Sequence, residues 1–256
     1  MEILVCVKRV PATGGQITLT ADAQDIDTKF LGFTVSPHEE CAVEEAVRLV
    51  EAHGGSTTVM TLGPAEAEDQ LREAMAIGAN RAVLLDSGGR DWDAVATAAA
   101  LTAEIRAQEA AHGPFDLLLF GNESADSGGF QVGIRVAVAL GRPCVIGVKA
   151  LAVRDGVAVA QREAVGAREV YEVPLPAVVA VKEGINLPRY PSVPGRLRAR
   201  KAPLDVVTPE ERIGGPTKLR LTVPEREATT AEVLGIGAEA APRVVEILQQ
   251  LGLVGS

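Results

Sequence analysis

The sequence predicts an α/β fold: a doubly wound, mainly parallel sheet with an antiparallel addition and a C-terminal extended arm and helix. Three observations carry this. Short β-branched runs alternate with helical apolar periods over roughly the first 140 residues; shorter extended pieces follow, with the turn signal Asp155-Gly156 between the first two; and Pro188, Pro191, Pro194, Pro203, Pro209 and Pro216 interrupt any regular period thereafter. At 256 residues, 47% hydrophobic and 23% charged, the chain can build one large core and is too apolar to be disordered.

In order along the chain, residues 3–7 read as a strand, and Val43, Ala46, Val47 and Val50 recur at the spacing of one helix face. Residues 56–62 form a second strand; Leu71, Ala74, Met75 and Gly78 mark a helix; residues 82–85 a strand; Ala94, Ala98, Leu101 and Ile105 a long helix; and residues 115–120 a fourth strand. Right-handed crossovers stack such helices on both faces of a parallel sheet, and ligands then sit at the carboxyl ends of the strands. After Leu140, residues 144–148, 157–160, 169–173 and 177–181 make the antiparallel addition, and the last of them rejoins the sheet. The prolines of residues 186–216 leave no room for a helix or a central strand, which predicts an extended arm. Val244, Ile247, Leu248 and Leu251 then return to helical spacing without a core of their own to cover. The division is therefore 1–185 for the α/β domain and 186–256 for the arm and helix, which suit a partner chain.

The net charge of −9 repels a polyphosphate backbone, so nucleic acid is an unfavourable partner. Cys6, Cys41 and Cys144 lack C-x-x-C spacing and are too scattered for a disulfide framework, which points to a reducing compartment, the cytoplasm. The first residues lack the pattern of a signal peptide, and no apolar run approaches a membrane span, so no direct membrane insertion is expected. With aromatics at 3% and one Trp, a ligand site must rely on backbone and small side chains.

The most informative stretch follows the fourth strand: Gly121-Asn122-Glu123-Ser124-Ala125-Asp126-Ser127-Gly128-Gly129-Phe130-Gln131-Val132-Gly133. Its glycines let the backbone approach a bound group, and the helix through Val132, Val136 and Leu140 offers unpaired N–H donors at the positive end of its dipole, an arrangement suited to phosphate. The competing reading is a tight strand-to-helix turn with no ligand. The loop is neither a Walker loop nor the G-x-G-x-x-G fingerprint. Two further loops open on the same edge. Ser36, Pro37, His38 and Glu39 begin a helix, with Ser36 a candidate N-cap and Glu39 at capping-box distance, and Leu62 closes the second strand.

Catalytic candidates are scarce. His38, His53 and His112 have no Cys or His at ligand spacing and are expected on the surface, no metal site is expected, and no nucleophile elbow is present. Glu123 and Asp126 read as hydroxyl acceptors or turn residues, and nothing here reads as bond-breaking machinery, so no enzyme activity is expected of the chain itself. In the arm, Arg189, Arg196, Arg198, Arg200 and Lys201 form a basic surface suited to steering an acidic partner.

These motifs resemble the beta subunit of electron transfer flavoproteins. The likeness runs through Val5-Cys6-Val7-Lys8-Arg9-Val10, Ala42-Val43-Glu44-Glu45-Ala46-Val47-Arg48-Leu49, Ala74-Met75-Ala76-Ile77-Gly78-Ala79-Asn80-Arg81, the 121–133 loop, Leu175-Pro176-Ala177-Val178-Val179 and Asn186-Leu187-Pro188-Arg189-Tyr190, colinear to about Lys201. The resemblance implies a Rossmann-like, adenine-nucleotide-binding sheet and a heterodimer with a FAD-carrying alpha subunit. It further implies electrons received from acyl-CoA or other dehydrogenases, as in fatty acid β-oxidation, and passed to a membrane quinone reductase. It also implies a structural AMP against Cys6, Ser36, Pro37, His38, Glu39, Leu62, Gly121, Asn122, Glu123, Ser124, Asp126, Ser127, Gly128, Gly129, Phe130, Gln131 and Val132. Partner docking would fall to Arg189, Tyr190, Val193, Arg196, Arg198 and Arg200, with Val193 as the apolar plug. Phe130 and Val132 stand where many AMP-holding relatives place Asn and Thr, which moves phosphate contacts onto backbone amides and Gln131. In the electron-bifurcating subgroup a second FAD takes the corresponding site, and Val132 is compatible with it.

Two other readings differ in class. A nucleotide-handling enzyme of the ATP-pyrophosphatase type would share Ser127-Gly128-Gly129 but carry it after the first strand. A small adenine-nucleotide sensor would not need the arm.

Overall fold

The computed structural model describes residues 1–12, 14, 17–210, 215–224 and 231–255. The elements are β1 (Glu2–Cys6), β2 (Arg9–Pro11), β3 (Phe33–Val35), α1 (Pro37–His53), β4 (Ser56–Gly63), α2 (Glu68–Ile77), β5 (Arg81–Asp86), α3 (Ala94–His112), β6 (Leu117–Gly121), α4 (Val132–Leu140), β7 (Cys144–Arg154), β8 (Val157–Ala164), β9 (Ala167–Pro174), β10 (Ala177–Val181), α5 (Val193–Lys201), β11 (Leu204–Val207) and α6 (Ala241–Gln250). The main sheet runs β11-β5-β4-β1-β6-β10-β7-β8-β9, parallel from β11 to β7 and antiparallel through β8 and β9.

Alternate residues of the buried strands feed two cores. Ile3, Val5, Leu117, Leu119 and Val179 face α1, α2 and α5, while Leu4, Leu118 and Val178 face α3 and α4 through Leu101, Ile105 and Val136. This is the doubly wound arrangement. The chain winds from β1 outward through β4 to β5, then crosses beneath α3 to β6, so the sheet reverses direction between β1 and β6, where Cys6 pairs with Phe120. Loops after those strands must diverge to opposite faces and leave a crevice between them.

The antiparallel addition is a meander, its first turn made by Asp155 (φ 49°) and Gly156 (φ 77°), the paired left-handed residues of a two-residue hairpin. β10 then inserts between β6 and β7, so β7 is parallel to β10 and antiparallel only to β8.

Three features differ from the sequence reading. The short β2–β3 ribbon lies in what reads as a polar stretch. The arm is not extended throughout: Pro194 sits in the first turn of α5, where its missing N–H would have no intrahelical partner anyway, and the Ser192 hydroxyl accepts from Gly195 N–H as an N-cap. β11 then adds itself to β5 at the sheet edge, so residues 193–207 complete the α/β unit. α5 lies against α2 so closely that a Cβ on Gly195 would stand 2.4 Å from the Ala76 carbonyl oxygen, and Arg72 donates 2.7 Å bonds to the Ala199 and Ala202 carbonyls at the end of α5.

Candidate functional site

The crevice at the β1/β6 switch is floored by Cys6, Leu62 and Phe120 and walled by the 121–132 loop on one side and by Trp92, Ala94, Thr97 and Leu101 of the α3 entry on the other. Of the residues expected from sequence, Cys6, Glu39, Leu62, Gly121, Asn122, Glu123, Ser124, Ser127, Gly129, Phe130, Gln131 and Val132 line it. Ser36, Pro37, His38, Asp126 and Gly128 are not among its lining residues.

The loop is tied to α1 from several sides. Gly121 has no room for a Cβ, which would meet Glu39 Cγ at 2.5 Å, so glycine is required where β6 passes the first turn of α1. Ser36 Oγ accepts from Ala125 N–H (3.0 Å). Glu39 Oε2 accepts from the N–H groups of Ser36 (3.3 Å) and Lys8 (3.1 Å), so the capping residue also fixes the exit of β1. Burial pushes the Glu39 carboxyl up to about 8, with the Lys8 and Ser36 bonds pulling only part of the way back. Burial, with the Glu39 charge beside it, also drives the Cys6 thiol far above its ordinary range, so Cys6 is a wall and not a nucleophile.

His38 corrects an expectation. It is not a surface histidine like the exposed His53 and His112; its Nδ1 accepts from Glu183 N–H (2.7 Å), which leaves the proton on Nε2, 3.3 Å from Glu123 Oε1. Glu123 also accepts from Asn122 Nδ2, and Asn122 Oδ1 accepts from Gly147 N–H (2.8 Å). One chain of polar contacts thus ties α1, the loop, β7 and the segment after β10.

At the far end of the loop the backbone turns left-handed at Gly128 (φ 54°) and at Phe130 (φ 54°). For a phenylalanine that conformation costs on the order of 1–2 kcal/mol. It delivers the chain into α4, whose N-cap Gln131 makes no side-chain cap bond, so the first-turn amides are free of an intramolecular acceptor there. Lys8 Nζ stands beside this turn, 2.6 Å from Asp126 Oδ2 and 3.4 Å from Ser127 Oγ. Burial raises the Asp126 carboxyl, but the Lys8 ammonium, the Ser124 hydroxyl and the Ser127 N–H outweigh it and hold the group below its usual range. Gln131 Oε1 accepts from Arg135, leaving its amide nitrogen as a donor. The arrangement suits an anionic group at α4 and an apolar, flat body over Cys6 and Leu62.

The α3 wall was not legible from motifs. Trp92, Ala94 and Thr97 belong to no signature; the available signal was topological, since their loop leaves the carboxyl end of a parallel strand beside the switch point.

The docking residues lie elsewhere. Arg189 is folded down onto α1, its guanidinium bonded to Glu44 (2.9 and 3.1 Å) and Glu51 (2.6 and 2.9 Å). Tyr190, Val193, Arg196, Arg198 and Arg200 are exposed, Tyr190 by 96% and Val193 by 72%. Among the described residues, no helix is long and apolar enough to cross a membrane, and no cluster of His, Cys, Asp or Glu side chains could hold a metal ion.

Fold and crevice together define a doubly wound α/β protein of the kind that takes its ligand at the switch point. A family model described as the electron transfer flavoprotein domain matches residues 27–212. The chain is 36% identical over 208 residues to the electron transfer flavoprotein subunit beta of Bacillus subtilis, covering 80% of this chain and 78% of that one. It is 31% identical over 260 residues to the same-named subunit of Thermoanaerobacterium thermosaccharolyticum, covering 97% and 98%. It is also 33% identical over 216 residues to the caffeyl-CoA reductase-Etf complex subunit CarD of Acetobacterium woodii, covering 82% and 79%. The chain belongs to the electron transfer flavoprotein family, among its beta subunits.

Proposed function

We propose that this chain is the electron-transferring beta subunit of a cytoplasmic heterodimer, and that its crevice holds AMP as a permanent structural part. The observation that supports the crevice reading most directly is the uncapped N-terminus of α4 opening behind the left-handed Gly128 and Phe130 turn, beside the Lys8 ammonium. A phosphate there receives amide N–H donors, the positive end of the helix dipole and the Gln131 amide, and is backed by a lysine. Since Phe130 and Val132 carry no polar side-chain atom, the grip falls on the backbone. The adenosine then lies over Cys6 and Leu62, with the Glu39 carboxyl behind it.

The FAD carried by the alpha subunit supplies the redox chemistry when bound. This chain contributes docking and shielding. Leu187, Tyr190 and Val193 project from a segment whose root is fixed by Arg189, and the exposed Arg196, Arg198 and Arg200 surround them with positive charge. Such a surface suits acyl-CoA or other dehydrogenases with acidic rims as donors and a quinone reductase as acceptor. One relative is named for a caffeyl-CoA reductase complex, and this supports a second reading in which a second FAD replaces AMP.

The test is to co-express the chain with its alpha subunit, denature the purified complex and weigh the released nucleotides. One AMP and one FAD per complex is the expected result. Two FAD and no AMP selects the second reading; an absence of adenine nucleotide beyond the alpha subunit's FAD, or ATP hydrolysis by the purified chain, overturns both.

A further inference from the structure

We infer that His38 is a proton-operated latch between the crevice and the root of the arm: neutral, it holds both the Glu123 carboxylate and the backbone at Glu183, and once protonated it keeps Glu123 and lets the segment after β10 go. The inference stands whether or not a nucleotide fills the crevice.

His38 Nδ1 accepts from Glu183 N–H at 2.7 Å, so that nitrogen carries a lone pair and the ring proton sits on Nε2, 3.3 Å from Glu123 Oε1. An imidazolium has two N–H donors and no acceptor. A proton taken from water at Nδ1 therefore sets donor against donor across the Glu183 contact, and turning the ring over presents a C–H there and restores nothing. The same proton makes the Nε2 contact a full ion pair with Glu123. One protonation thus pulls the two contacts in opposite directions, which separates a switch from a static bridge.

Each contact sits at a junction. Glu123 lines the crevice. Glu183 lies between the end of β10 and Asn186, whose Nδ2 bonds the Cys41 carbonyl and Glu45 where the arm begins. Lys182 N–H is still held by the Val148 carbonyl (2.8 Å), but Glu183 pairs its own N–H and carbonyl with side chains, His38 at the first and Lys149 Nζ at the second (2.5 Å). Loss of the His38 contact leaves that residue tied at one end only, with Asn186 and Arg189 still anchored beyond it. The ionisable groups around the imidazole are Glu39 and Glu40 on α1, Glu123 on the loop, Lys182 and Glu183 after β10 and Lys149 on β7.

Hydrogen exchange at the Glu183 amide of the full-length chain tests the latch, read by mass spectrometry with residue-level fragmentation and divided by the free-peptide rate at each pH. Protection should fall about 5- to 10-fold between about pH 8 and about pH 5, as expected for one lost hydrogen bond, while the neighbouring Lys182 amide keeps its protection. His38→Asn places an amide oxygen where Nδ1 stands and does not titrate, so Glu183 should be protected equally at both pH values; the variant retains every other ionisable group, which isolates the ring. His38→Phe offers no acceptor and should leave Glu183 poorly protected throughout. Glu123→Gln removes the carboxylate that favours the imidazolium, so release should move to lower pH. Equal protection at both pH values in the native chain would overturn the latch, as would a fall of the same size in His38→Asn. A release that does not move to lower pH in Glu123→Gln would overturn the grip on Glu123. If His38→Phe does not fold, the native chain against His38→Asn decides alone.

Discussion

Helix α1 buries three carboxylates, Glu39, Glu44 and Glu45, whereas helix α6 leaves Val244, Val245 and neighbouring Leu251 exposed and buries none of its residues. The two invert the usual rule that charge faces water and apolar surface faces the core. In α1 each buried carboxylate holds something. Glu39 ties Ser36 and the exit of β1, Glu44 takes Arg189 and Arg48, and Glu45 accepts from Asn186 Nδ2 (2.8 Å), whose Nδ2 also reaches the Cys41 carbonyl (2.9 Å). One end of the helix serves the crevice and its flank serves the root of the arm. For α6 the described residues offer no such purpose; its main contact is the 3-10 turn Gly237–Ala240 just before it. A buried charge is explained by what it grips inside the chain, and an uncovered apolar stripe by what grips it from outside.

The comparison breaks first at Glu39. Its carboxyl titrates near 4.5 in the unfolded chain and near 8 in the folded one, so between those values the folded state holds the extra proton. Stability must then fall as pH rises through that window, by at most about 1.4 kcal/mol per pH unit. Glu39→Gln keeps an oxygen acceptor for the Ser36 and Lys8 amides and removes the titration. Urea midpoints compared between about pH 5 and about pH 9 should decline for the native chain and decline less for the variant, in which the Glu40, Glu45 and Glu73 carboxyls, also raised by burial, still contribute. A slope in Glu39→Gln equal to that of the native chain would mean that this carboxylate carries no such role.

The next effect is smaller. Burial works against the Glu44 carboxylate, yet the Arg189 and Arg48 guanidinium groups outweigh it and hold it below its ordinary range, and Glu44 itself is 1% exposed. Because both arginines keep more than a third of their side-chain surface in water, solvent screens the loss. Glu44→Gln should therefore cost about 1–2 kcal/mol rather than the full cost of breaking a buried pair. The Glu44→Gln, Arg189→Gln double variant should cost less than the sum of the singles. Limited proteolysis should cut residues 187–192 faster in both single variants. Unchanged cleavage would show that the arm is fixed by α5 alone.

Much of this was legible in the residues. The β-α alternation gave the sheet and both helical layers, the glycine-rich loop gave one wall of the crevice, and the Ser36-to-Glu39 spacing gave the capping contact. What escaped did so for physical reasons. β2 and β3 are three residues each, too short for any periodicity, and β2 ends in Pro11. α5 was hidden because proline reads as a breaker unless its place in the first turn is recognised, which needs Ser192 to be seen as the cap. The Trp92 wall was hidden because it is joined to the phosphate loop only through strand order, which local patterns do not encode. His38 read as a surface residue because its two partners, Glu183 and Glu123, lie 145 and 85 positions away.

The smallest expected effect tests the other half of the comparison. Val244→Ser in α6 and Leu251→Ser just after it remove apolar atoms that are already 41% and 66% exposed, so the isolated chain should keep its stability to within about 0.5 kcal/mol. Leu71→Ala in α2, a residue with no exposed surface, provides the contrast at about 2–5 kcal/mol. In the heterodimer the order should reverse. If the alpha subunit covers this stripe, each serine variant forfeits burial worth about 1.5 kcal/mol or more, a tenfold or greater loss of affinity measurable by titrating one subunit with the other. Large destabilisation of the isolated chain would mean that α6 already packs on its own body. Unchanged affinity in the complex would remove α6 from the interface and leave the arm and the antiparallel addition to carry it, because an apolar stripe that costs nothing to lose in either state has no partner.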